Sequence, residues 1–556
     1  MSQNLRGLSE RKGLKNNLFG EIVNGSLTTA DNIDIALKEL SQKYLVGQSA
    51  ILGTSSFYDF LRTGHKGKKV FICDGTACLT SGRQEPLRKA LLERFNENEI
   101  GTVTCLGHCH TNHSFMHGHA THSMADISDI DEILDNRNSN KPEFTTGTNA
   151  DKPPLFEKIT DLREFYRPLK EYAGNIPRSL AEIEISGLRG RGGAGFPFHL
   201  KLKTAAGTES SQKYIVCNAD EGDPGAFSDK YLLEERPHSL LFGMMLAGAI
   251  TGADTGVVYI RGEYPESVIA VKAAIEQIER EELTSFDLPG TCFSFKFYVV
   301  EGAGAYICGE ETSLLNSIEG LRPEVRTRPP FPAVYGLFGN PTVLSNVETF
   351  ANISYILREG GAAFSALGTE KSAGTKLVSL DGAFVKPGLY EVRMGTPLSY
   401  LFNEMGGGMK YPVKAFQIGG PLGGIVPASK VKELSIDFES FSESGFLLGH
   451  AGVVSIPADF PMIKFLSHLF DFTAKESCGK CFPCRLGADH GSSILKSAVD
   501  DGEKINRELF SDLLETMQLG SLCALGGGLP LPVRNALHYF SSELEEYFTT
   551  EKINHG

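Results

Sequence analysis

Two sets of four cysteines dominate this 556-residue chain. The first reads CDGTAC and then CLGHC: Cys73, Cys78, Cys105 and Cys109. The second reads CGKCFPC and then SLCALGG: Cys478, Cys481, Cys484 and Cys523. The fold must bring each set of sulfurs together, because four thiolates are what a [2Fe–2S] or [4Fe–4S] cluster needs. Zinc sites usually use two separated C-x2-C pairs, whereas three closely spaced thiolates around one corner of a cube suit [4Fe–4S]. A structural zinc is the competing reading of the first set. Two such sets in one chain point to the movement of single electrons.

The length implies three or four domains. Hydrophobic content of 41% and charged content of 22% are those of a globular protein. A formal net charge of −14 argues against a nucleic-acid partner and against binding to anionic membranes. No stretch approaches the ~20 apolar residues that span a bilayer, and the first twenty residues lack an apolar signal region. The expected location is the cytoplasm, where clustered cysteines are metal ligands or redox groups more often than disulfides.

A helix is expected over 33–44, after the capping run Thr28-Thr29-Ala30-Asp31. A small α/β unit follows, with strands over 68–72 and 102–106, each ending at a cysteine pair, and a helix over 85–95. Residues 136–154 are polar and rich in Asn, Thr and Pro, the composition of a linker. From 155 the pattern is α/β with glycine-rich turns. Residues 375–430 switch to short β segments such as KLVSLDG, GLYEV and AFQIGG. Residues 458–548 carry helical periodicity, for example over 460–472 and 507–519, as in a helical bundle.

The glycine loop GLRGRGGAGFP spans 187–197. Gly190, Gly192 and Gly195 match G-x-G-x-x-G, but the preceding SLAEIEIS reads as helix and Pro197 follows closely, so the ordinary Rossmann fingerprint is rejected. Residues without side chains still let backbone N–H groups approach an anion or a flat ring, and Arg191 and Lys201 add charge for a phosphate. A surface glycine turn is the alternative. CNADEGDPGAF (217–227) places acids at the end of a buried strand, a position that suits ribose hydroxyls or a ring, or else forms a solvated acidic turn. Glu310 and Glu311 sit at a helix start, where they complement the dipole or hold a sugar or an amide. His108, His110, His113, His117, His119 and His122 crowd one run. Four thiols already suffice for a cluster, so this run is expected as a solvated loop. Cys217, Cys292 and Cys308 read as buried packing residues.

Together these motifs resemble the NADH-oxidising flavoprotein subunit of respiratory complex I and its relatives in soluble hydrogenases and formate dehydrogenases. GLRGRGGAGFP, NADEGDPGAF, GAGAYICGEETSLLNSIEG, RPPFPA, NPTVLSNVET and ESCGKCFPCR occur in family order over 155–548. Residues 65–135 look like the thioredoxin-like [2Fe–2S] ferredoxin that complex I carries separately, so the chain looks like a fusion of the two. The resemblance implies a multi-domain α/β protein. Its units would be a thioredoxin-like ferredoxin domain with a helical lead-in (1–135), the linker (136–154), a Rossmann-like FMN/NADH domain (155–370), a β-grasp soluble-ligand-binding (SLBB) module (371–455) and a C-terminal helical bundle (456–556).

It further implies FMN held by Gly190, Arg191, Gly192, Gly193, Lys201, Asn218, Asp220, Gly309, Glu310 and Asn346. NAD(H) would lie near Phe196, Asp223, Tyr306, Glu311, Arg328 and Phe331. Cys73, Cys78, Cys105 and Cys109 would bind [2Fe–2S], and Cys478, Cys481, Cys484 and Cys523 would bind [4Fe–4S]. No residue is expected to act as nucleophile or general base, because the chemistry is hydride transfer to flavin. Asp223 stands where complex I has a longer Glu, Ser345 replaces the first Asn of a usual pair, and the lead-in is short. GDPGAF and SLCALGG look more like the soluble diaphorase branch. The implied protein is the NAD(H)-FMN diaphorase subunit of a soluble hetero-oligomer, with a formate dehydrogenase partner carrying molybdenum or tungsten ahead of a hydrogenase. The alternatives are the input subunit of complex I and a zinc scaffold without enzymatic activity.

Overall fold

The computed structural model describes residues 13–15, 17–23, 33–65, 67–124, 126–135, 144–288 and 291–550. The expected capping run at 28–31 and the first half of the expected linker, 136–143, lie outside these residues. The helix expected over 33–44 is Ile33–Tyr44, and it buries Ala36, Leu37, Leu40 and Tyr44 on one face. Among the described residues no helix is long and apolar enough to cross a membrane.

The first sheet contains β1 (Val70–Cys73), β2 (Ile100–Val103), β3 (Ser114–His117) and β4 (Ala120–Ser123) in the order β2-β1-β3-β4. β2 runs parallel to β1 and β3 antiparallel. Val70, Ile72, Ile100 and Phe115 meet Leu87 and Leu91 of the helix Gln84–Leu92 in its core. β2 stops short of the expected residue 106. Cys105 takes a left-handed φ of 55° and Gly107 one of 70°, so the chain turns rather than extends.

The histidine run is not a solvated loop. His108, His110 and His113 are buried. His108 Nε2 lies 3.0 Å from Thr121 Oγ1, and Arg83 Nη1 lies 3.2 Å from His113 Nδ1. The rings of Phe144 and Phe227 cover His110.

The second half of the expected linker is also structured. It forms β5 (Thr145–Thr148), an edge strand paired in parallel with residues 388–391 of the β-grasp sheet. The carboxylate of Glu391 then accepts hydrogen bonds from the backbone N–H groups of Leu155, at 3.1 Å, and Phe156, at 3.0 Å.

The central sheet holds β6 (Tyr214–Ala219) and β7 (Thr255–Ile260). A separate hairpin, β8 (Ser285–Leu288) and β9 (Thr291–Ser294), precedes β10 (Lys296–Glu301) and β11 (Thr342–Asn346). The order is β10-β7-β6-β11, all parallel. Runs such as YIVC are apolar because helices cover both faces of a parallel sheet, and polarity returns only at Asn218 near the strand's end. Cys217 and Cys308 are buried as expected, but Cys292 is exposed because the β8–β9 hairpin stands apart from the sheet. The chain order reverses at β6, whose neighbours are β7 on one side and β11 on the other. Ligands of open α/β sheets bind outside the strand ends at such a point.

The third sheet contains β12 (Thr375–Leu380), β13 (Gly388–Arg393), β14 (Val413–Ile418), β15 (Ile425–Pro427) and β16 (Gly452–Pro457), in the order β15-β14-β16-β12-β13-β5. The helices Met462–Glu476, Phe482–Asp500 and Arg507–Gly520 then pack Leu466, Phe470, Leu495, Phe510 and Leu514 into a shared core.

Burial pushes Glu391 up to about 8 and Asp381 up to about 6. The unfolded chain gives up these protons at lower pH, so the native state holds more of them and stability falls as pH rises. The melting temperature of the apoprotein is therefore expected to be lower at about pH 8.5 than at about pH 6, by scanning calorimetry. Glu391→Ala strands the donors of Leu155, Phe156 and Thr375 and is expected to cost about 3 kcal/mol in chemical denaturation.

Candidate functional site

A cleft of about 370 Å³ opens at the carboxyl ends of β6 and β11. Its walls include Gly192, Gly193, Asn218, Asp220, Asp223, Tyr306, Gly309, Glu310 and Asn346 from the expected set. Asn218 and Asn346 are register partners at the ends of these two strands, which explains their convergence.

The glycine loop is pinched at its base by Gly190 N to Phe196 O at 2.8 Å and Phe198 N to Leu188 O at 3.0 Å. A Cβ on Gly192 would stand 3.0 Å from Asn346 Cβ, and Gly193 has a φ of 131°. Only glycine lets this backbone lie against the cleft. Asn218 Nδ2 donates to Gly309 O at 2.7 Å. Glu310 caps the helix Glu311–Ile318 by accepting from Thr312 N and Ser313 N, each at 2.9 Å. Tyr306 OH donates to Asp223 Oδ1 at 2.6 Å.

Other expected residues stand back from these walls. Glu311 bridges Lys201 at 3.3 Å and Arg328 at 2.8 Å, and Lys201 also donates to Leu344 O at 3.0 Å. Phe196 and Phe331 are 47% and 56% exposed, rings free to meet a second planar group. Arg191 does not line the cleft. Its side chain is buried, with Nη2 donating to Ala373 O at 2.5 Å, and burial lowers its pKa to about 10.

Burial raises the carboxyl groups of Asp220 and Asp223 above the ordinary range. Asp220 Oδ2 and Asp229 Oδ1 are buried without a hydrogen-bond partner among the described residues. Unsatisfied acceptors beside glycine backbone fit a flat polar ring with a hydroxylated chain, as FMN has.

The second cysteine set reaches this cleft through Cys523, and the first set packs against the backbone of the turn that forms one wall. Cys105 Sγ lies 3.8 Å from Cys109 Sγ and 3.8 Å from Asp223 O, and Gly225 N lies 3.3 Å from Cys109 Sγ. Cys73 and Cys78 lie close enough to one another and to this pair to interact electrostatically. On the other side Cys523 is itself part of the cleft wall. Ser477 Oγ lies 3.3 Å from Cys484 Sγ, and a Cβ on Gly526 would collide with Cys484 Cβ at 2.6 Å. Burial pushes the Cys484 and Cys523 thiols up to about 11 and about 12, with neighbouring thiols of the set adding to it. Such thiols ionise readily only against a compensating metal charge, so the donor set fits an iron–sulfur core.

Asp229 and His450 also line the cleft and were not singled out from the sequence. LLGHAGV offers no spacing signal around His450, and Asp229 lies beyond the acidic turn. Only tertiary structure brings them there. Glu476, which accepts from Tyr306 N at 2.8 Å, opens the ESCGKCFPCR motif but is not singled out by its spacing.

Gly192→Ala forces Asn346 outward. It is expected to weaken FMN binding about tenfold, for about 1.4 kcal/mol of strain, while the iron content stays unchanged. Flavin fluorescence titration and iron analysis check this.

Residues 183–355 match the family described as the Nuo51 FMN-binding domain, and residues 464–547 match the NADH-ubiquinone oxidoreductase-F iron-sulfur binding region. The NADH-quinone oxidoreductase-F 2 protein of Rhizobium meliloti (strain 1021) is 40% identical over 383 residues, covering 68% of this chain and 91% of its own length. The NADP-reducing hydrogenase subunit HndC of Solidesulfovibrio fructosivorans is 41% identical over 373 residues, 66% of this chain and 76% of its own. A solved NAD+-reducing [NiFe]-hydrogenase in the air-oxidized state superposes with a TM-score of 0.85 at 28% identity, covering 96% of this chain and 94% of that one. With the cleft and the second cysteine set in place, the chain belongs to the NADH-quinone oxidoreductase-F family, NADH dehydrogenase-type oxidoreductases that bind FMN and a [4Fe–4S] cluster.

Proposed function

We propose that this chain is the diaphorase subunit of a multi-subunit NAD-linked oxidoreductase, passing electrons between NAD(H) and iron–sulfur clusters by way of FMN. The observation that carries this reading is the cleft lined by the glycine loop, the Asn218–Asp220 turn and Cys523, with the first cysteine set packed against the Asp223–Gly225 backbone of its wall. FMN, when bound, supplies the means to accept a hydride and release its electrons one at a time.

The chain's residues bind and orient. Gly192, Gly193 and Gly309 present backbone, while Gly190 closes the base of the loop through its bond to Phe196 O. Asn218, Asp220, Glu310 and Asn346 offer polar groups, Asp220 through its open Oδ2. Arg191 acts from behind the loop as a buried charge rather than as a wall of the cleft. Tyr306 and Asp223, locked to one another, form one side of the entrance, and the exposed Phe196 and Phe331 would cover a nicotinamide dinucleotide. Lys201, Glu311 and Arg328 fix each other's charges beside it. None of these is placed as a nucleophile. The first cysteine set reads as [2Fe–2S], either on the path to a partner or as a store for one electron.

The partner would be a larger iron–sulfur subunit carrying a catalytic metal. Phe482, Leu486, Leu519 and Leu522 are all exposed and flank Cys481 and Cys523, an apolar patch suited to such a subunit's approach. GDPGAF and SLCALGG favour a molybdenum or tungsten formate dehydrogenase. The likeness to the NAD+-reducing [NiFe]-hydrogenase over 96% of this chain supports a hydrogenase as the second reading. Native complex purified anaerobically through this chain is expected to reduce NAD+ with formate. Reduction with hydrogen alone would assign the partner to the hydrogenases. Failure of NADH to reduce an artificial dye would overturn the diaphorase reading itself.

A further inference from the structure

Three buried side chains meet on one wall of the cleft, and the transfer of hydride and electrons does not use them. Glu221 follows β6, Asp229 lies in the helix Ser228–Glu235, and His450 comes from the loop before β16. His450 Nε2 lies 3.5 Å from Glu221 Oε1 and 3.5 Å from Asp229 Oδ2. All three are buried and all three line the cleft. His450 Nδ1 and Asp229 Oδ1 are buried without a hydrogen-bond partner among the described residues.

The frame around them is fixed. Glu221 Oε1 accepts from Asp229 N at 2.9 Å and Ser228 Oγ at 3.2 Å, and Oε2 accepts from Lys230 N at 3.0 Å and Tyr264 OH at 3.3 Å. Asp229 Oδ2 accepts from Asn346 Nδ2 at 2.6 Å. Arg261 donates to the Glu221 carbonyl. Lys376, paired with Glu348, opposes the imidazolium charge, and His450 in turn favours ionised Asp223. Three such ligands also suit a divalent metal, but four donors already occupy both oxygens of Glu221. The mobile species left to the group is a proton.

Burial, with the charge of Asp229, raises Glu221 to about 7. Burial opposes a charge on His450, but the Asp229 hydrogen bond and the carboxylates of Asp229 and Glu221 raise it to about 9. Glu221 and His450 are close enough to share their protons, and their joint proton count changes from near neutral pH upward.

We propose that Glu221, Asp229 and His450 form the proton-exchange site of the cleft, taking up one proton when a hydride enters and returning it as electrons leave. This rests on the FMN reading of the cleft. Breaking the C4–H bond of the dihydronicotinamide would send the hydrogen and its electron pair to FMN, and departure of the positively charged oxidised nicotinamide would then leave one added negative charge in a low-dielectric site. The group takes one proton from solvent to balance that charge. The two electrons then leave singly to the iron–sulfur clusters, the transferred hydrogen departs as a proton, and the group releases its own proton. Without this balance the added charge would stand uncompensated beside two carboxylates.

The test is the pH dependence of the midpoint potential of bound FMN, measured by anaerobic spectroelectrochemistry on the full chain carrying its clusters, from about pH 6 to about pH 10. Between about pH 7 and about pH 9 the unaltered protein is expected to take up one more proton per two electrons than His450→Gln, with flavin content equal in both. Equal slopes with FMN bound in both would overturn the proton site and leave the cofactor reading intact. Absence of FMN from the unaltered protein would overturn both. If His450→Gln fails to fold or to hold FMN, redox-induced infrared difference spectra of the unaltered protein decide the matter. Imidazole and carboxyl bands that change with flavin reduction support the proposal, and their absence overturns it.

Discussion

The turn that leaves β6 at residues 218–227 is gripped from every side. Asn218 donates to Gly309 O, Tyr306 holds Asp223, Arg261 holds the Glu221 carbonyl, Gly225 N faces Cys109 Sγ, and Phe227 N approaches Ser379 Oγ at 3.3 Å. One ten-residue segment thus touches the first cysteine unit, the central sheet and the β-grasp sheet. On the proposed reading, electron transfer between a flavin and two clusters needs fixed separations, which this junction would set. The glycines in it are there for contact. A Cβ on Gly222 would meet the Tyr306 ring at 2.5 Å, and one on Gly225 would meet Val454 at 2.7 Å.

Buried charge reinforces the same junctions. Lys376 of β12 pairs with Glu348 of the helix Val347–Glu359, both side chains being essentially inaccessible, and this ties the β-grasp sheet to the central one. Arg261 pairs with Glu263 at 2.8 Å and donates to Thr104 O at 2.9 Å, which docks the turn next to Cys105. Pairs so deep are weak evidence for net stability, yet removing one partner is typically worth about 3–5 kcal/mol because the other charge is stranded. They act as registry pins between units that would otherwise slide.

Much of the architecture was legible in the sequence because its signals are local. Cysteine spacing, the helical period over 33–44 and the apolar runs of β6 and β12 depend on near neighbours alone. The glycine loop's refusal of the ordinary Rossmann pattern was legible too, since the helix Ile176–Ile185 precedes it where a strand would be required. The errors came where tertiary contact overrides composition. Residues 145–148 look like linker but complete a sheet edge, the histidine run looks solvated but lies under Phe144 and Phe227, and Cys292 looks like core but sits on an isolated hairpin. The motifs bring Gly192, Gly193, Asn218, Asp220, Gly309, Glu310 and Asn346 to the cleft walls but leave Arg191 and Lys201 off them, whereas His450 and Asp229 arrive from separate segments and carry no mark of their own.

The central claim is that one flavin cleft serves two iron–sulfur sets. Electron paramagnetic resonance of anaerobically purified protein, reduced by NADH, tests it most directly. The account predicts bleaching of the flavin and two distinguishable cluster signals, with Cys481→Ser losing only the [4Fe–4S] signal and Cys105→Ser only the [2Fe–2S] signal. A colourless zinc protein, or clusters that NADH cannot reduce in the presence of bound FMN, would contradict it.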